Sequence, residues 1–551
     1  MSHPLPVGTT HTVLNQAAPA IGWNAFTGDR LLGAIADKFV PWVRERASRL
    51  GACAGAAATQ ELARLANKHV PELKTHDRFG NRIDWVEFHP AWHELMALAF
   101  GHEVHSLAWT AGQPGAHLAR GLLSYLWNQI EHGVGCPTGM TYAAYPGLAQ
   151  PEFAAWREKL LSPRYDQRPL PYGQKTGITI GYAMTEKQGG SDLRQTQTTA
   201  RPGETTRDGR TYLLTGHKWF FSVPQSDGFF TLARTVAGVT CFFVPGFLPD
   251  GARNNIRIQR LKDKCGNRSN ASSEIEYHDA LAWLVGEDGN GIREILGHAH
   301  LTRLDFAIGS AGLMRQALTL ALNHTQTRRG FGAALADQPM MTNILADLAI
   351  DCEASTLMAF RVARAVDAMA DDEQESRLAR VATPLAKFWN CKRAASFVVE
   401  ALECHGGNGF IEENPMARLY REAPLNGIWE GSTNMMCMDV LRAMRNDKRT
   451  RDAFMSEVTR ARGADRQLDR WLDRLGDEIV RDRNDDGHAR RLCAAMAGAM
   501  QASELHDHGS ADVFAAFCAS RLQGNGTPVF GMLDPAPELK GIVERATVLH
   551  H

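Results

Sequence analysis

The sequence lacks any uninterrupted apolar run of the about 18 residues that a membrane-spanning helix needs, so we expect no membrane segment. Its first residues also lack the basic stretch and following apolar stretch of a secretory signal. Neither charge is in excess, because 60 basic and 61 acidic side chains leave a formal net charge of −1. Such a balance gives no global field that would attract nucleic acid or anionic lipid. The pattern GxxxxGKS/T is missing as well, which excludes P-loop phosphoryl transfer.

Regular cysteine spacing is absent too, since the ten cysteines are scattered and form no CxxC pair. We therefore expect reduced thiols in a cytoplasmic protein rather than a disulfide framework. Two histidine pairs, His89/His93 and His102/His105, raise the question of a metal site. The second pair reads HEVH, one residue short of the HExxH spacing that places both imidazoles on one helical face. Surface or hydrogen-bonded histidines are the preferred interpretation, and we predict no metal.

The periodicity of the apolar residues changes along the 551-residue chain, which is too long for one hydrophobic core. Helical spacing comes first, short β-rich runs follow, and long amphipathic helices return after them. We predict a mainly α protein with a central β domain, a small sandwich or barrel. The predicted divisions are an N-terminal helical domain (residues 1–178), a middle β domain (179–285), a four-helix bundle (286–445) and an arginine-rich helical region (446–551). In the first domain we predict breaks near residues 74–82, with 75–81 as a connection between helices, and near 133–139.

A glycine-containing loop at residues 181–192, GYAMTEKQGGSD, is the first candidate site. An alternating apolar lead-in predicts a strand, and the paired glycines allow a tight turn and a close approach to a ligand. Hydroxyls at Thr185 and Ser191 bracket that turn. Such a loop can hold a flat, polar-edged ring system or its phosphates. Alone, the pattern also fits a plain hairpin.

Four further stretches follow downstream. TGHKWFFS (215–222) offers flat apolar faces and a hydroxyl, and TRRGFG (327–332) is a basic turn suited to a pyrophosphate. CHGGNGF (404–410) is a glycine-rich loop after a predicted helix, and it also fits a simple helix end. LYREAPLNGIWEGSTN (419–434) holds a carboxylate, Glu430, between Trp429 and Gly431.

Taken together and in this order, these stretches resemble the acyl-CoA dehydrogenase family of flavoproteins over about residues 175–444. The resemblance implies an acyl-CoA dehydrogenase-like fold, an FAD cofactor, an acyl-CoA-like substrate and a homotetramer. It implies cofactor contacts at Met184, Thr185, Gly190, Ser191, Trp219, Phe220, Ser222, Trp429, Ser432 and Asn434. The adenine-diphosphate end of a neighbouring subunit's cofactor would be served by Arg328, Phe331, Gly406 and Gly407.

The same resemblance makes Glu430 the catalytic base. An α-proton of an acyl thioester is a very weak acid, so a base must remove it as a hydride leaves the β-carbon. Burial beside Trp429 would raise the pKa of Glu430 and make its carboxylate a stronger base. The alternative is a glutamate that forms a salt bridge or caps a helix. A few family members carry the base one helix earlier, where this chain has Thr302, which is not a carboxylate.

About a hundred residues follow the predicted bundle, and they are rich in arginine. Arg462, Arg466, Arg470 and Arg474 recur every four residues and would form one basic stripe on a helix; interleaved acids also fit a solvated helix with ion pairs. The long N-terminal half and this tail resemble the adaptive-response flavoproteins of the alkylation-damage regulon within the family. That resemblance implies weak dehydrogenation of short branched acyl-CoA such as isovaleryl-CoA, and double-stranded DNA binding through the tail, with Arg442 at its junction. A plain metabolic acyl-CoA dehydrogenase and an acyl-CoA-binding scaffold remain the alternatives.

Overall fold

The computed structural model describes residues 10–206, 209–480, 486–523, 533 and 538–548. Parts of the predicted arginine-rich region, residues 481–485, 524–532, 534–537 and 549–551, therefore lie outside the described residues. Helices form the first part of the chain, a β sheet the middle, and helices the remainder. Within the described ranges, no helix is both long and apolar enough to cross a membrane.

The N-terminal helices surround a core that is continuous with the later bundle. Asp29 caps the first of them by accepting hydrogen bonds from the N–H groups of Leu31 and Leu32. In chain order the elements are α1 (Arg30–Phe39), α2 (Arg44–Gly55), α3 (Ala57–Lys68), β1 (Glu72–His76), β2 (Arg82–Glu87), α4 (Pro90–Gly101), α5 (Leu107–Thr110), α6 (Ala116–Trp127), α7 (His132–Ala144) and α8 (Ala154–Leu160).

Two local predictions in this part are wrong. Residues 75–81 do not simply connect two helices, because β1 and β2 pair as an antiparallel hairpin whose turn is held by Asp77, which accepts from the N–H groups of Phe79 and Asn81. Residues 133–139 are no break, since α7 runs through them. The glycines serve close packing there: a Cβ on Gly133 would lie 1.9 Å from Ser269 Oγ, and one on Gly139 would lie 2.5 Å from an Asp305 oxygen.

The middle of the chain forms a seven-stranded sheet that closes into a barrel. Its strands are β3 (Ile180–Ala183), β4 (Thr199–Thr206), β5 (Gly209–Ser222), β6 (Gly228–Thr235), β7 (Gly238–Pro245), β8 (Ile256–Leu261) and β9 (Ser272–Val285). The strand order is β3-β6-β4-β5-β9-β7, β8 pairs with β9, and β7 pairs back with β6. β3 joins the rim of this barrel in parallel with β6, which places the loop after Ala183 at one end of the sheet.

Long helices then pack into a bundle made mainly by α9 (Gly291–Thr327), α10 (Pro339–Ala368), α11 (Glu373–Glu403) and α13 (Thr433–Asn446). A short hairpin, β10 (Arg329–Gly330) and β11 (Ala333–Ala334), follows α9, and α12 (Pro415–Glu422) lies between α11 and α13. The bundle meets the sheet where α9 packs against β6 and β7. The mainly α fold with a central β domain is confirmed, whereas the exact domain limits stay a prediction.

The chain continues with α14 (Lys448–Val458), α15 (Arg466–Val480), α16 (Ala489–His508), α17 (Ala511–Arg521) and α18 (Glu538–Ala546). These helices pack on the bundle, with α16 against α10 and α11. A buried arginine of α10, Arg361, ties the two parts together by donating to Glu457 at 2.7 Å and to Glu375 at 2.8 Å. The tail is therefore joined to the bundle through a shared interior.

Candidate active site

Glu430 lies in a short segment before α13 where the backbone is left-handed. Glu430 has a φ of +54° and Gly431 a φ of +95°. Such a conformation costs a non-glycine residue about 1–3 kcal/mol, so the surroundings must hold it in place. Thr302 Oγ1 on α9 donates to the Glu430 carboxylate at 3.2 Å, and Arg303 Nε donates to its carbonyl at 3.4 Å. The φ of +95° at Gly431 is one that residues with a side chain rarely adopt, so glycine is favoured there, and a Cβ would also press on Met436 Cε at 2.5 Å.

Lys387 on α11 holds both ends of this segment. Its buried ammonium donates to the carbonyl of Trp429 at 2.6 Å and to the carbonyl of Gly431 at 2.5 Å. Charge-assisted bonds of this kind are worth about 1.5–3 kcal/mol each. Burial lowers the pKa of Lys387 to about 8. Sequence reasoning missed this residue, although a lysine inside the otherwise apolar run TPLAKFW was a usable signal.

The electrostatics of the site favour a strong carboxylate base. Burial raises the pKa of Glu430, and the cations of Lys387 and Arg303 together with the Thr302 hydroxyl oppose that rise. The charge of Arg303 is already shared with Asp439, which Arg303 contacts at 2.8 Å. Desolvation therefore dominates, as it does for carboxylates that act as general bases near neutral pH.

An apolar wall flanks the carboxylate. The indole of Trp429 stacks on Phe306, with ring centroids 4.8 Å apart, and its N–H donates to Asn426 at 3.0 Å. Trp429 and Met184 pack on the same apolar cluster, which includes Tyr182 of β3. The negative charge of Glu430 adds to the burial that raises the pKa of Tyr182. The structure thus brings the predicted base and the predicted strand-end loop together.

The loop after β3 is anchored from beneath by a buried ion pair. Glu186 accepts from Lys218 Nζ at 2.7 Å and from the N–H groups of Gln197 and Thr198. Although burial acts in the opposite direction, Lys218 and these bonds lower the pKa of Glu186 to about 2, so it stays ionised. A Cβ on Gly190 would lie 2.3 Å from Thr185 Oγ1, so this glycine lets the turn fold back on Thr185. Within the described residues, the Thr185 and Ser191 hydroxyls have no assigned hydrogen-bond partner.

The predicted cofactor-contact residues on β5 differ in how exposed their side chains are. Phe220 is 49% exposed, with Lys262 Nζ 4.8 Å from its ring centroid, and Ser222 Oγ lies 3.2 Å from Ser272 Oγ. The Trp219 ring is covered by Lys262, whose Nζ lies 3.3 Å from the ring centroid. Trp219 N–H donates to the carbonyl of Thr185 at 2.8 Å, so its backbone fixes the loop. Phe220 is thus the more exposed of the two rings.

The N-terminus of α13 is a ready anion site. Ser432 occupies the N-cap position and makes no side-chain capping bond, and Asn434 in the first turn is exposed. Free N–H groups and the helix dipole at such an end favour phosphate. Two kinds of group here fit a flavin with a pyrophosphate. The uncapped N–H groups and the hydroxyls of Thr185 and Ser191 can donate hydrogen bonds, and the rings of Phe220 and Trp429 can stack on the flavin.

Four predicted cofactor residues lie away from this place within one chain. Arg328 and Phe331 follow the far end of α9, which separates Thr302 from Thr327 by about 38 Å at about 1.5 Å per residue. Arg328 donates to the carbonyl of Asn15 at 2.6 Å, and Phe331 is 99% exposed. Gly406 and Gly407 are exposed in the turn after α11. The chain does not bring these four residues to its own Glu430.

The tail arginines are placed less regularly than the sequence predicts. Arg466, Arg470 and Arg474 are exposed on α15, but Arg462 precedes that helix, so the stripe on one helix is wrong for Arg462. The chain turns at Gly463 with φ +88°, which ends any helical register before residue 466. Arg442 lies on α13, where its guanidinium is 3.9 Å from the carboxylate of Asp439.

Among the described residues, one histidine–carboxylate group has metal-like spacing: Glu504, Asp507 and His508. Arg460 already contacts Glu504 at 2.9 Å and Asp507 at 2.5 Å, so protein cations neutralise these carboxylates. The four histidines considered from the sequence have other surroundings. His89 caps α4, His93 contacts Tyr165, His102 contacts Cys53, and His105 contacts the carbonyl of Ser162.

Comparison with known proteins supplies the family of each part. Residues 15–167 match the model of the adaptive response protein AidB N-terminal domain, residues 181–280 that of the acyl-CoA dehydrogenase middle domain, and residues 289–445 that of the acyl-CoA dehydrogenase C-terminal domain. A relative from Escherichia coli (strain K12), named "Putative acyl-CoA dehydrogenase AidB", is 47% identical over 475 residues, which cover 85% of this chain and 87% of the relative.

Solved structures give the same picture of the fold. The Caenorhabditis elegans protein ACDH-11, solved in complex with C11-CoA, has a TM-score of 0.84 at 25% identity and covers 95% of this chain and 94% of its own. An acyl-CoA dehydrogenase of Bacillus anthracis, solved in complex with FAD, has a TM-score of 0.67 at 17% identity over 93% of this chain and 85% of its own. The second likeness concerns the fold alone.

Proposed function

This chain belongs to the AidB branch of the acyl-CoA dehydrogenase family, and from that premise we propose that it is an FAD-dependent acyl-CoA dehydrogenase that also binds double-stranded DNA. One observation carries the enzymatic part: the desolvated carboxylate of Glu430 is fixed beside the apolar wall of Trp429 and next to the loop after β3. Free thiols at all ten cysteines suit the cytoplasm, where we place the protein.

FAD is the cofactor of this site. Thr185, Ser191, Phe220, Ser222 and Trp429 would hold its ring, and the N–H groups at Ser432 and Asn434 its pyrophosphate. When bound, FAD supplies the acceptor for the hydride that leaves the β-carbon of the substrate.

The protein's own residues perform the proton transfer. Glu430 takes the α-proton of the acyl thioester onto its carboxylate. Lys387 keeps that carboxylate in its left-handed segment by binding the carbonyls on either side. Trp429 and Phe306 keep water from the carboxylate, which maintains its raised pKa.

The enzymatic proposal is tested by anaerobic flavin bleaching of the FAD-loaded protein with isovaleryl-CoA. Glu430→Gln should retain FAD and slow bleaching by about 10²–10⁴-fold, the usual contribution of a general base. The matched control is Glu158→Gln at an exposed position of α8, which should bleach at the wild-type rate. If no acyl-CoA bleaches the flavin and Glu430→Gln changes nothing, dehydrogenation is not this protein's activity.

The DNA-binding part rests on α15. Two acids at its start bind the backbone: Asp465 accepts from Gln467 N–H at 2.7 Å, and Asp469 accepts from Gly463 N–H at 2.8 Å. Two later acids pair with arginines outside the helix, Asp473 with Arg462 at 2.9 Å and Glu478 with Arg491 at 3.1 Å. In the described part of the chain, Arg466 and Arg470 have no acidic partner, and both are exposed. Exposed, uncompensated arginines suit bidentate contacts with phosphate.

A salt titration of duplex DNA binding tests this part. Arg466→Glu/Arg470→Glu should weaken binding and make the log–log salt slope shallower by about two, one for each lost phosphate contact. The matched control reverses two exposed arginines elsewhere, Arg30→Glu/Arg164→Glu, and should leave the slope unchanged. Binding that survives the α15 variant unaltered would favour a metabolic dehydrogenase without a DNA role.

We further propose a homotetramer in which neighbours complete each cofactor site. Phe331, Met340 and Phe410 are 99%, 82% and 73% exposed, an apolar display that suits contact with another copy. Arg328 lies too far from its own Glu430 to serve the same site. Phe331→Asp should therefore reduce both the mass measured by light scattering and the FAD content. A tetramer with full FAD content in that variant would contradict the arrangement.

A further inference from the structure

A cavity of about 950 Å³ lies away from the candidate active site. It is enclosed by residues of the N-terminal segment 16–23, α3, the second half of α9, His405, Asn408 and residues between 411 and 421. Thr319 in its wall is about 26 Å along α9 from Thr302, at about 1.5 Å per residue. Pockets that hold cofactor-sized ligands have volumes of about 300–1,000 Å³, so this cavity is large enough for one.

The inner wall carries four buried polar side chains, each with an atom that lacks a partner among the described residues: Gln129, Gln316, Thr319 and Asn323. Three of them are spaced by three and four residues on α9 and so share one helical face. Leaving such an atom buried and unbonded costs about 1–3 kcal/mol. Four such side chains in one wall indicate that this wall faces a ligand with hydrogen-bonding groups.

The N-terminal segment forms the cover. Asn323 Nδ2 donates to the carbonyl of Ala18 at 2.8 Å, and Asn15 donates to the carbonyl of Arg329 at 2.8 Å. Residues 17–21 of this cover, AAPAI, have only apolar side chains. The cavity therefore has one polar wall and one apolar wall, which suits a flat heterocycle between them.

The rim is positively charged. Arg64 and Arg421 are compensated by Glu61 at 2.7 Å and by Glu412. In the described part of the chain, Lys68, Arg268 and Arg418 have no ion-pair partner, and all three line the cavity. Glu413 also lines the cavity, and Arg418 lies near the buried carboxylates of Glu131 and Glu422. Lys68 and Arg268 therefore supply most of the excess positive charge, which favours an anionic end on the ligand.

We propose that this cavity binds a phosphorylated nucleoside, with its base and sugar against the amides and hydroxyl of the inner wall and its phosphates at Lys68, Arg268 and Arg418. The proposal is separate from the proposed dehydrogenase and DNA functions. None of the residues assigned to the flavin, the acyl-CoA or DNA lines the cavity, and the nearest of them in the chain, Gly406 and Gly407, lie between the lining residues His405 and Asn408.

Calorimetric titration of the full-length, FAD-loaded protein with ADP tests the proposal, with adenosine and inorganic pyrophosphate as separate arms. ADP should bind saturably and more tightly than either fragment, because only ADP reaches both the wall and the rim. Thr319→Val should lower the affinity for ADP about fivefold, because it removes one hydrogen bond. Lys68→Glu, at an exposed position, should lower the affinity for ADP and reduce the salt dependence of ADP binding. The control Lys540→Glu, at an exposed position of α18, should change neither.

Three results would overturn the proposal. The first is that ADP does not bind saturably. The second is that ADP binding is indifferent to both Thr319→Val and Lys68→Glu. The third is that these variants lose FAD, which would make the cavity part of the flavin site. The outcome is independent of the dehydrogenase proposal, because Glu430→Gln should abolish bleaching and leave ADP binding intact.

Discussion

Replacing Lys387 by methionine should move the pH dependence of catalysis in a known direction. The substitution removes two bonds, to the carbonyls of Trp429 and Gly431, and removes a cation that lowers the pKa of Glu430. A unit charge at roughly 6 Å and an effective dielectric constant near 20 contributes about 3 kcal/mol. That energy equals about 2 pKa units, which we take as the upper limit of the shift. Since Glu430 must be deprotonated to act, the acid limb of kcat/KM should move to higher pH by about 1–2 units.

The assay is the rate of anaerobic flavin reduction by isovaleryl-CoA as a function of pH. Lys387→Arg is the matched control, because it retains the positive charge and should keep the acid limb near the wild-type pH. A purely structural role for Lys387 would lower the rate at every pH and leave the limb in place. An acid limb that stays fixed, or moves to lower pH, in Lys387→Met would refute the reasoning.

Two further predictions concern stability. Arg361→Met should destabilise the protein by about 3–5 kcal/mol in chemical denaturation. It leaves the half-buried carboxylate of Glu375 without its arginine and leaves the buried carboxylate of Glu457 with Arg460 alone. The exposed control Arg449→Met should cost less than about 1 kcal/mol, and equal effects of the two variants would contradict this prediction. Burial raises the pKa of Asp367 to about 6. Between about pH 4 and pH 6 the folded protein therefore binds more protons at this group than the unfolded chain does. The free energy of unfolding that Asp367 contributes should fall as pH rises through that window. Asp367→Asn should remove this pH dependence, which amounts to at most about 3 kcal/mol across the window. If the stability difference between variant and wild type is instead constant from pH 4 to pH 6, Asp367 does not titrate there.

Features that depend on residues close together in the chain could be predicted from the sequence. The run WEGSTN places Glu430 beside Trp429 and before a helix start, and all three features depend on neighbouring residues alone. Long amphipathic stretches likewise predict long helices between residues 286 and 445, where the structure has α9, α10 and α11. Predictions that needed distant partners did less well. The hairpin at Asp77 and the continuous α7 at Gly133 depend on backbone bonding and close packing that residue spacing does not reveal.

The sequence by itself determined the order of helical and β regions, the family and the identity of the candidate base, because each depends on residue type and local periodicity. Only the tertiary structure decided that Lys387 clamps the Glu430 segment and that Glu186 and Lys218 anchor the opposing loop. It alone gathered the polar face of α9 and the cover at Ala18 into one cavity. These contacts join residues separated by tens to hundreds of positions, and they are fixed by packing and desolvation rather than by local pattern.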